Sequence, residues 1–184
     1  MPYAIIGSVA SLVFACYQGK TPCTLTPEMD ADKLTFSVDR GQDNKLYQER
    51  VSIGMDWKEA IYQGQYWSLK GRWDLSVHHW HSDSQGVRND SGYIIGLTPI
   101  FQYRLNSDEI SPYIEMGAGP HLLDNIYIED EDKSTQLQFG DHLGIGFNAG
   151  PVEVGYRYIH ISNANIELPN PGTDFHNLHF AYRF

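Results

Sequence analysis

The chain reads as all-β, an eight-stranded antiparallel up-and-down transmembrane β-barrel. Three observations predict this. After residue 32, eight successive segments each hold their apolar residues on one parity. The opposite parity is polar and carries charges of both signs. Finally, mean hydropathy is −0.40 and no apolar run approaches the ~18 residues a membrane-crossing helix needs, whereas a barrel strand needs only about ten alternating residues.

Taken in order, the first segment sets Leu34, Phe36 and Val38 against Thr35, Ser37 and Asp39. The second sets Tyr47, Val51, Ile53, Met55 and Trp57 against Arg50, Ser52 and Asp56, and the third Trp67, Leu69, Trp73, Leu75 and Val77 against Lys70, Arg72, Asp74 and His78. The fourth has Tyr93, Ile95, Leu97, Phe101 and Tyr103 on one side, and the fifth Ile114, Met116 and Ala118. The sixth has Leu137, Phe139, Leu143, Ile145 and Phe147, the seventh Val152, Val154, Tyr156 and Tyr158, and the eighth Leu178, Phe180, Tyr182 and Phe184. Side chains alternate faces along a strand, so each segment has one apolar and one polar face.

A soluble barrel of lipocalin type turns the apolar face inward, and a membrane barrel turns it to lipid. Arg50, Asp56, Lys70, Arg72, Asp74, Arg104, Glu115, Glu153, Arg157 and Arg183 on the polar parity favour the second, as a narrow interior filled with ion pairs. The terminal Phe184, ending an alternating strand, resembles the recognition signal of bacterial outer-membrane barrels and points to the outer membrane of a Gram-negative bacterium. Connection lengths agree. The inner turns at about 105–111 and Gly150-Pro151 are short, and the outer loops near Ser82–Gly92 and Leu123–Thr135 are longer.

The 184 residues suffice for one such domain, here residues 32–184. Residues 1–15 form an apolar stretch of signal-peptide length, without the usual basic start, and 16–31 follow as a periplasmic segment. Val13-Phe14-Ala15-Cys16 also loosely matches a lipoprotein cleavage box. Cys16 and Cys23 fit no metal spacing and could form a local disulfide. A net charge of −10 argues against nucleic acid as a partner. The acidic loop with Asp124, Glu129, Asp130, Glu131 and Asp132 reads as solvated rather than as a metal site.

Chemistry concentrates at the end of the seventh segment. His160 and Ser162, two apart, project from one face, the lipid-facing one. An imidazole beside a hydroxyl is the core of nucleophilic ester hydrolysis, and a carboxylate must hold the imidazole tautomer. Asp174 and Asp141 both share the outward parity. If Gly150-Pro151 is a two-residue turn, Asp141 lies directly across from His160. The loop that follows, 163–174, is rich in Asn, Pro and Gly, and Asn170 and Asn163 are candidates for an oxyanion hole.

The run H-I-S-N-A-N-I-E-L-P-N-P-G-T-D from His160 to Asp174 resembles the signature of the PagL-type lipid A 3-O-deacylases. Further echoes are Met55-Asp56-Trp57, Trp73-Asp74, the run from Pro112 to Gly119 and Phe139-Gly140-Asp141, so the likeness covers roughly Leu34 to Phe184. The resemblance implies hydrolysis of the 3-position ester of lipid A at the membrane, with Ser162 as nucleophile and His160 as base. The family's third member is usually a glutamate where this chain has Asp174, one methylene shorter, and Asp141 is the alternative. Asn170 matches the family's oxyanion asparagine and Asn163 matches it less well. No cofactor or metal is expected for this chemistry. The rival readings are a non-enzymatic outer-membrane barrel (adhesin or structural) and an outer-membrane phospholipase.

Overall fold

In a computed structural model, which describes residues 2–17 and 29–184, eight long antiparallel strands form a closed barrel. They are β1 (Met29–Asp43), β2 (Leu46–Trp57), β3 (Trp67–Ser82), β4 (Ser91–Leu105), β5 (Ser111–Leu123), β6 (Leu137–Ala149), β7 (Val152–Ser162) and β8 (Thr173–Arg183). Each pairs with its sequence neighbours. β8 returns to β1 with Val38 opposite Phe180, which closes the ring.

The apolar parity faces outward. Ile53, Leu75, Ile95, Ile145 and Leu178 are each more than half exposed, while Arg50, His78, His142 and Arg157 on the opposite parity are fully buried. A folded soluble protein rarely shows so continuous an apolar belt. Lipid is the solvent that stabilises it.

The interior is filled in layers. In the middle, Arg50 donates to Asp39 at 2.6 Å and to Asp74 at 2.5 Å. Arg157 reaches Glu115 at 2.6 Å, Arg72 reaches Glu153 at 3.3 Å, and His179 bridges Asp39 and Glu153 at 2.8 and 3.1 Å. Each carboxylate so buried has a cationic partner, which offsets the large cost of taking charge out of water. Next towards the outside lie His78, His121 and His142, their rings 5.3 and 5.7 Å apart in sequence. The outer mouth is filled by Leu46, Trp80, Ile94, Leu123, Ile159, Ile161 and Phe175, with Ile128 of the loop above joining them.

Three features differ from the sequence expectation. β1 begins at Met29, inside the segment read as periplasmic, with a register irregularity between Met29 and Leu34. Trp57, Leu69 and Phe101, on the outward parity, are buried, because Ile61 and Tyr62 of the β2–β3 connection cover them. The acidic loop carries a two-stranded ribbon, Tyr127–Ile128 with Glu131–Asp132, where the sequence suggests plain loop. The N-terminal helix α1 (Pro2–Tyr17) lies on the outer wall, with Ser11 Oγ 2.6 Å from the Tyr103 hydroxyl. No described helix is long and apolar enough to cross a membrane. Cys16 is disulfide-bonded, and Cys23 falls outside the described residues.

Candidate active site

β7 runs from its inner turn to the outer rim, so its last residues stand at headgroup level on the lipid-facing wall. The turn at Gly150 (φ +57°) sets the β6–β7 register, with Val152 opposite Ala149. That register carries Asp141 directly opposite His160. On the other side, His160 pairs across the ladder with Asp174 of β8. The imidazole therefore sits between two carboxylates on neighbouring strands.

The two are not equivalent. His160 Nδ1 is 2.5 Å from Asp174 Oδ1. Asp141 makes no such bond, and its Oδ1 is buried without a hydrogen-bond partner. The shorter aspartate side chain reaches because the two residues are direct cross-strand neighbours, whose Cβ atoms stand about 5 Å apart. With Nδ1–H donated to Asp174, Nε2 is the nitrogen that can accept a proton.

Sequence reasoning missed three neighbours. The Tyr158 hydroxyl donates to the same Asp174 Oδ1 at 2.6 Å, so the carboxylate is held from two sides. Tyr158 lies two residues before His160 on the same face, and strand alternation alone could have flagged it. Gly172 packs on the imidazole: a Cβ there would lie 2.3 Å from His160 Cε1 and 3.0 Å from Nε2. Lys133, on the acidic loop, donates to Glu131 at 2.6 Å and to the Pro171 carbonyl at 2.9 Å. Its burial pushes the ammonium pKa down, against the pull of Glu131.

Ser162 ends β7 opposite Phe139, half-buried and on the His160 face. No hydrogen bond joins it to His160 in this structure; such contacts commonly tighten only with substrate bound. The two asparagines are brought together, with different tasks. The Asn163 backbone N–H donates to Asn170 Oδ1 at 2.9 Å. The Asn163 side chain is fully buried and donates to the carbonyls of Lys133 (3.2 Å) and Glu167 (2.8 Å), so it organises the loop from inside the mouth. Asn170 Nδ2 donates to Asn165 Oδ1 at 3.1 Å and keeps a second hydrogen. Ala164 and Asn165, both with positive φ, make the reversal that folds Asn170 back. Ser134 Oγ adds a bond to the Pro169 carbonyl at 2.7 Å, and loop 124–136 thus braces loop 163–172.

A family model described as lipid A 3-O-deacylase (PagL) matches residues 47–183, well over half of the chain. The chain belongs to this family. Two curated relatives carry the name lipid A deacylase PagL. The Pseudomonas aeruginosa protein is 28% identical over 98% of this chain and 95% of its own length. The Bordetella bronchiseptica protein is 33% identical over 74% of this chain and 76% of its own. The crystal structure of the outer membrane enzyme PagL superposes with a TM-score of 0.73 at 26% identity, over 80% of this chain and 98% of that one. The barrel is thus an outer-membrane protein of the deacylase family, as its exposed apolar belt requires.

Proposed function

We propose that this chain hydrolyses the 3-O-linked acyl chain of lipid A by a Ser162–His160–Asp174 mechanism at the outer rim of the barrel wall. The observation that carries it is the 2.5 Å His160–Asp174 bond on a lipid-facing surface. An imidazole held in one tautomer by a carboxylate, two residues from a hydroxyl on the same face, is the base-and-orienter half of a nucleophilic site.

An acyl chain of the substrate lies along the outer wall, with its ester beside Ser162. Ser162 Oγ attacks the ester carbonyl carbon while His160 Nε2 takes the hydroxyl proton. The imidazolium is stabilised through Nδ1–H by Asp174, itself steadied by Tyr158. The negative oxygen that develops needs fixed donors, and we assign one of these to the second Asn170 Nδ2 hydrogen, the first being donated to Asn165 Oδ1. Asn163 acts by orienting Asn170 rather than by donating from its own side chain. Collapse of the intermediate breaks the ester bond, and His160 gives its proton to the departing 3-oxygen of lipid A, which leaves as the hydroxyl. Water then attacks the acyl-enzyme with His160 again as base, releasing a fatty acid and restoring Ser162. These steps are carried by the chain's own side chains. We also infer that residues 1–15 serve as an export signal and 32–184 as the enzyme.

The test is expression of the chain and of Ser162→Ala at equal membrane levels, followed by mass spectrometry of lipid A and phospholipids. Lipid A short of one acyl chain, in cells with the unaltered chain alone, is the expected result. Equal lipid A acylation in both overturns the proposal, and lysophospholipid in its place assigns a phospholipase.

A further inference from the structure

A second cluster of ligand-type side chains stands on the outer wall, three strands round the ring from β7. Glu49 of β2 and His79 of β3 are direct cross-strand partners, and His81 follows His79 on the same face. His79 Nδ1 is 3.4 Å from Glu49 Oε2, and His81 Nδ1 is 3.8 Å from the same oxygen. All three donor atoms lie within 4.8 Å of one another. Ligand atoms held at about 2.0–2.1 Å in a tetrahedron around one ion stand about 3.3–3.4 Å apart. The two histidine–carboxylate separations, 3.4 and 3.8 Å, are close to that spacing, and the third is within 4.8 Å.

Two further features favour a ligand over a chance ion pair. His81 Nδ1 is buried and has no hydrogen-bond partner, so a polar atom aimed at Glu49 is left unsatisfied. The rings are also held. Tyr47 stacks on His81 at 5.1 Å, Tyr93 flanks His79 at 5.2 Å, and the two imidazoles lie 5.8 Å apart and nearly parallel. Arg40 approaches the other carboxylate oxygen, Oε1, at 3.8 Å, which leaves Oε2 for an ion.

We infer that Glu49, His79 and His81 bind one divalent transition-metal ion on the outer wall of the barrel, at the level of the outer-leaflet headgroups. Two imidazoles and one carboxylate suit zinc, nickel or copper better than magnesium or calcium, which prefer all-oxygen sites. Three protein ligands leave one tetrahedral position for water or an anionic headgroup oxygen. The ion is structural and touches no group in the proposed hydrolysis. The sequence shows only His79-x-His81, and the third ligand is thirty residues away and joins it through the β2–β3 register alone.

The experiment is zinc titration by calorimetry on the full barrel, purified without a histidine tag, stripped with chelator and held in detergent micelles. Cobalt absorption serves as a second readout. The expected result is one zinc per chain, weakened more than about 100-fold in His79→Asn/His81→Asn, beyond what loss of an outer-shell partner produces. Glu49→Gln weakens binding while keeping both imidazoles. Heat-modifiable gel mobility and unchanged deacylation confirm that the variants are folded. Absence of stoichiometric zinc binding overturns the inference. So does binding of equal strength in the double variant, which would place the ion elsewhere on the chain.

Discussion

Gly172→Ala tests the site through a single methyl group. The residue is exposed and its backbone needs no positive φ, so alanine brings no conformational strain and little loss of stability. What it brings is a Cβ 2.3 Å from His160 Cε1, far inside van der Waals contact, with Nε2 at 3.0 Å. The ring must give way by about 1 Å to restore a normal separation. A 1 Å misplacement of a reacting group costs on the order of 100-fold in rate, or about 2.7 kcal/mol of transition-state stabilisation. The assay is lipid A deacylation by the purified barrel in detergent micelles, with kcat and KM separated and thermal unfolding recorded in parallel. The fall is expected in kcat, with the unfolding midpoint unmoved. Activity within about threefold of the unaltered chain would show that Nε2 of His160 is not the working nitrogen, and the proton route through Ser162 would have to be abandoned.

Four other outcomes follow from the same geometry. Asp174→Asn leaves the Nδ1 contact in place but favours the wrong tautomer, and kcat should drop by about 10⁴, whereas Asp141→Asn should stay within about tenfold; single-turnover assays of both decide which carboxylate serves. Tyr158→Phe removes a hydrogen bond to a charged group, worth roughly 1.5–3 kcal/mol, and should slow deacylation by about tenfold or more without changing heat-modifiable mobility. Lys133→Met releases the Pro171 carbonyl, and proteolysis of the loop at 163–172 should quicken as activity falls. Arg50→Met leaves Asp39 and Asp74 without their shared partner and should cost about 3–5 kcal/mol in urea unfolding from micelles.

How far the sequence alone carries depends on whether a contact follows from local periodicity or from register. Strand number, the outward apolar face and the placing of His160 with Ser162 follow from alternation, which needs no tertiary knowledge. The Asp141–His160 pairing was also legible, because Gly150-Pro151 makes a tight turn and a tight turn sets its own register. The His160–Asp174 pair could not be derived this way. The β7–β8 connection is a long loop that sets no register of its own, so the alignment of its ends appears only in the folded ladder. Gly172 and Lys133 were out of reach for a related reason: each meets its partner through the folded shape of a loop or the docking of two loops. The burial of Trp57 and Phe101 shows the opposite failure, where periodicity named the face correctly and a neighbouring segment covered it.

The greasy stopper of Leu46, Trp80, Ile94, Ile159, Ile161 and Phe175, seated above the interlocked arginines and carboxylates, has a bearing on cell physiology. Nothing dissolved can pass end to end through such a cylinder, so even heavy production should leave permeability to antibiotics and small sugars as it was. A freed fatty acid accordingly departs sideways into the surrounding leaflet, never down a central conduit.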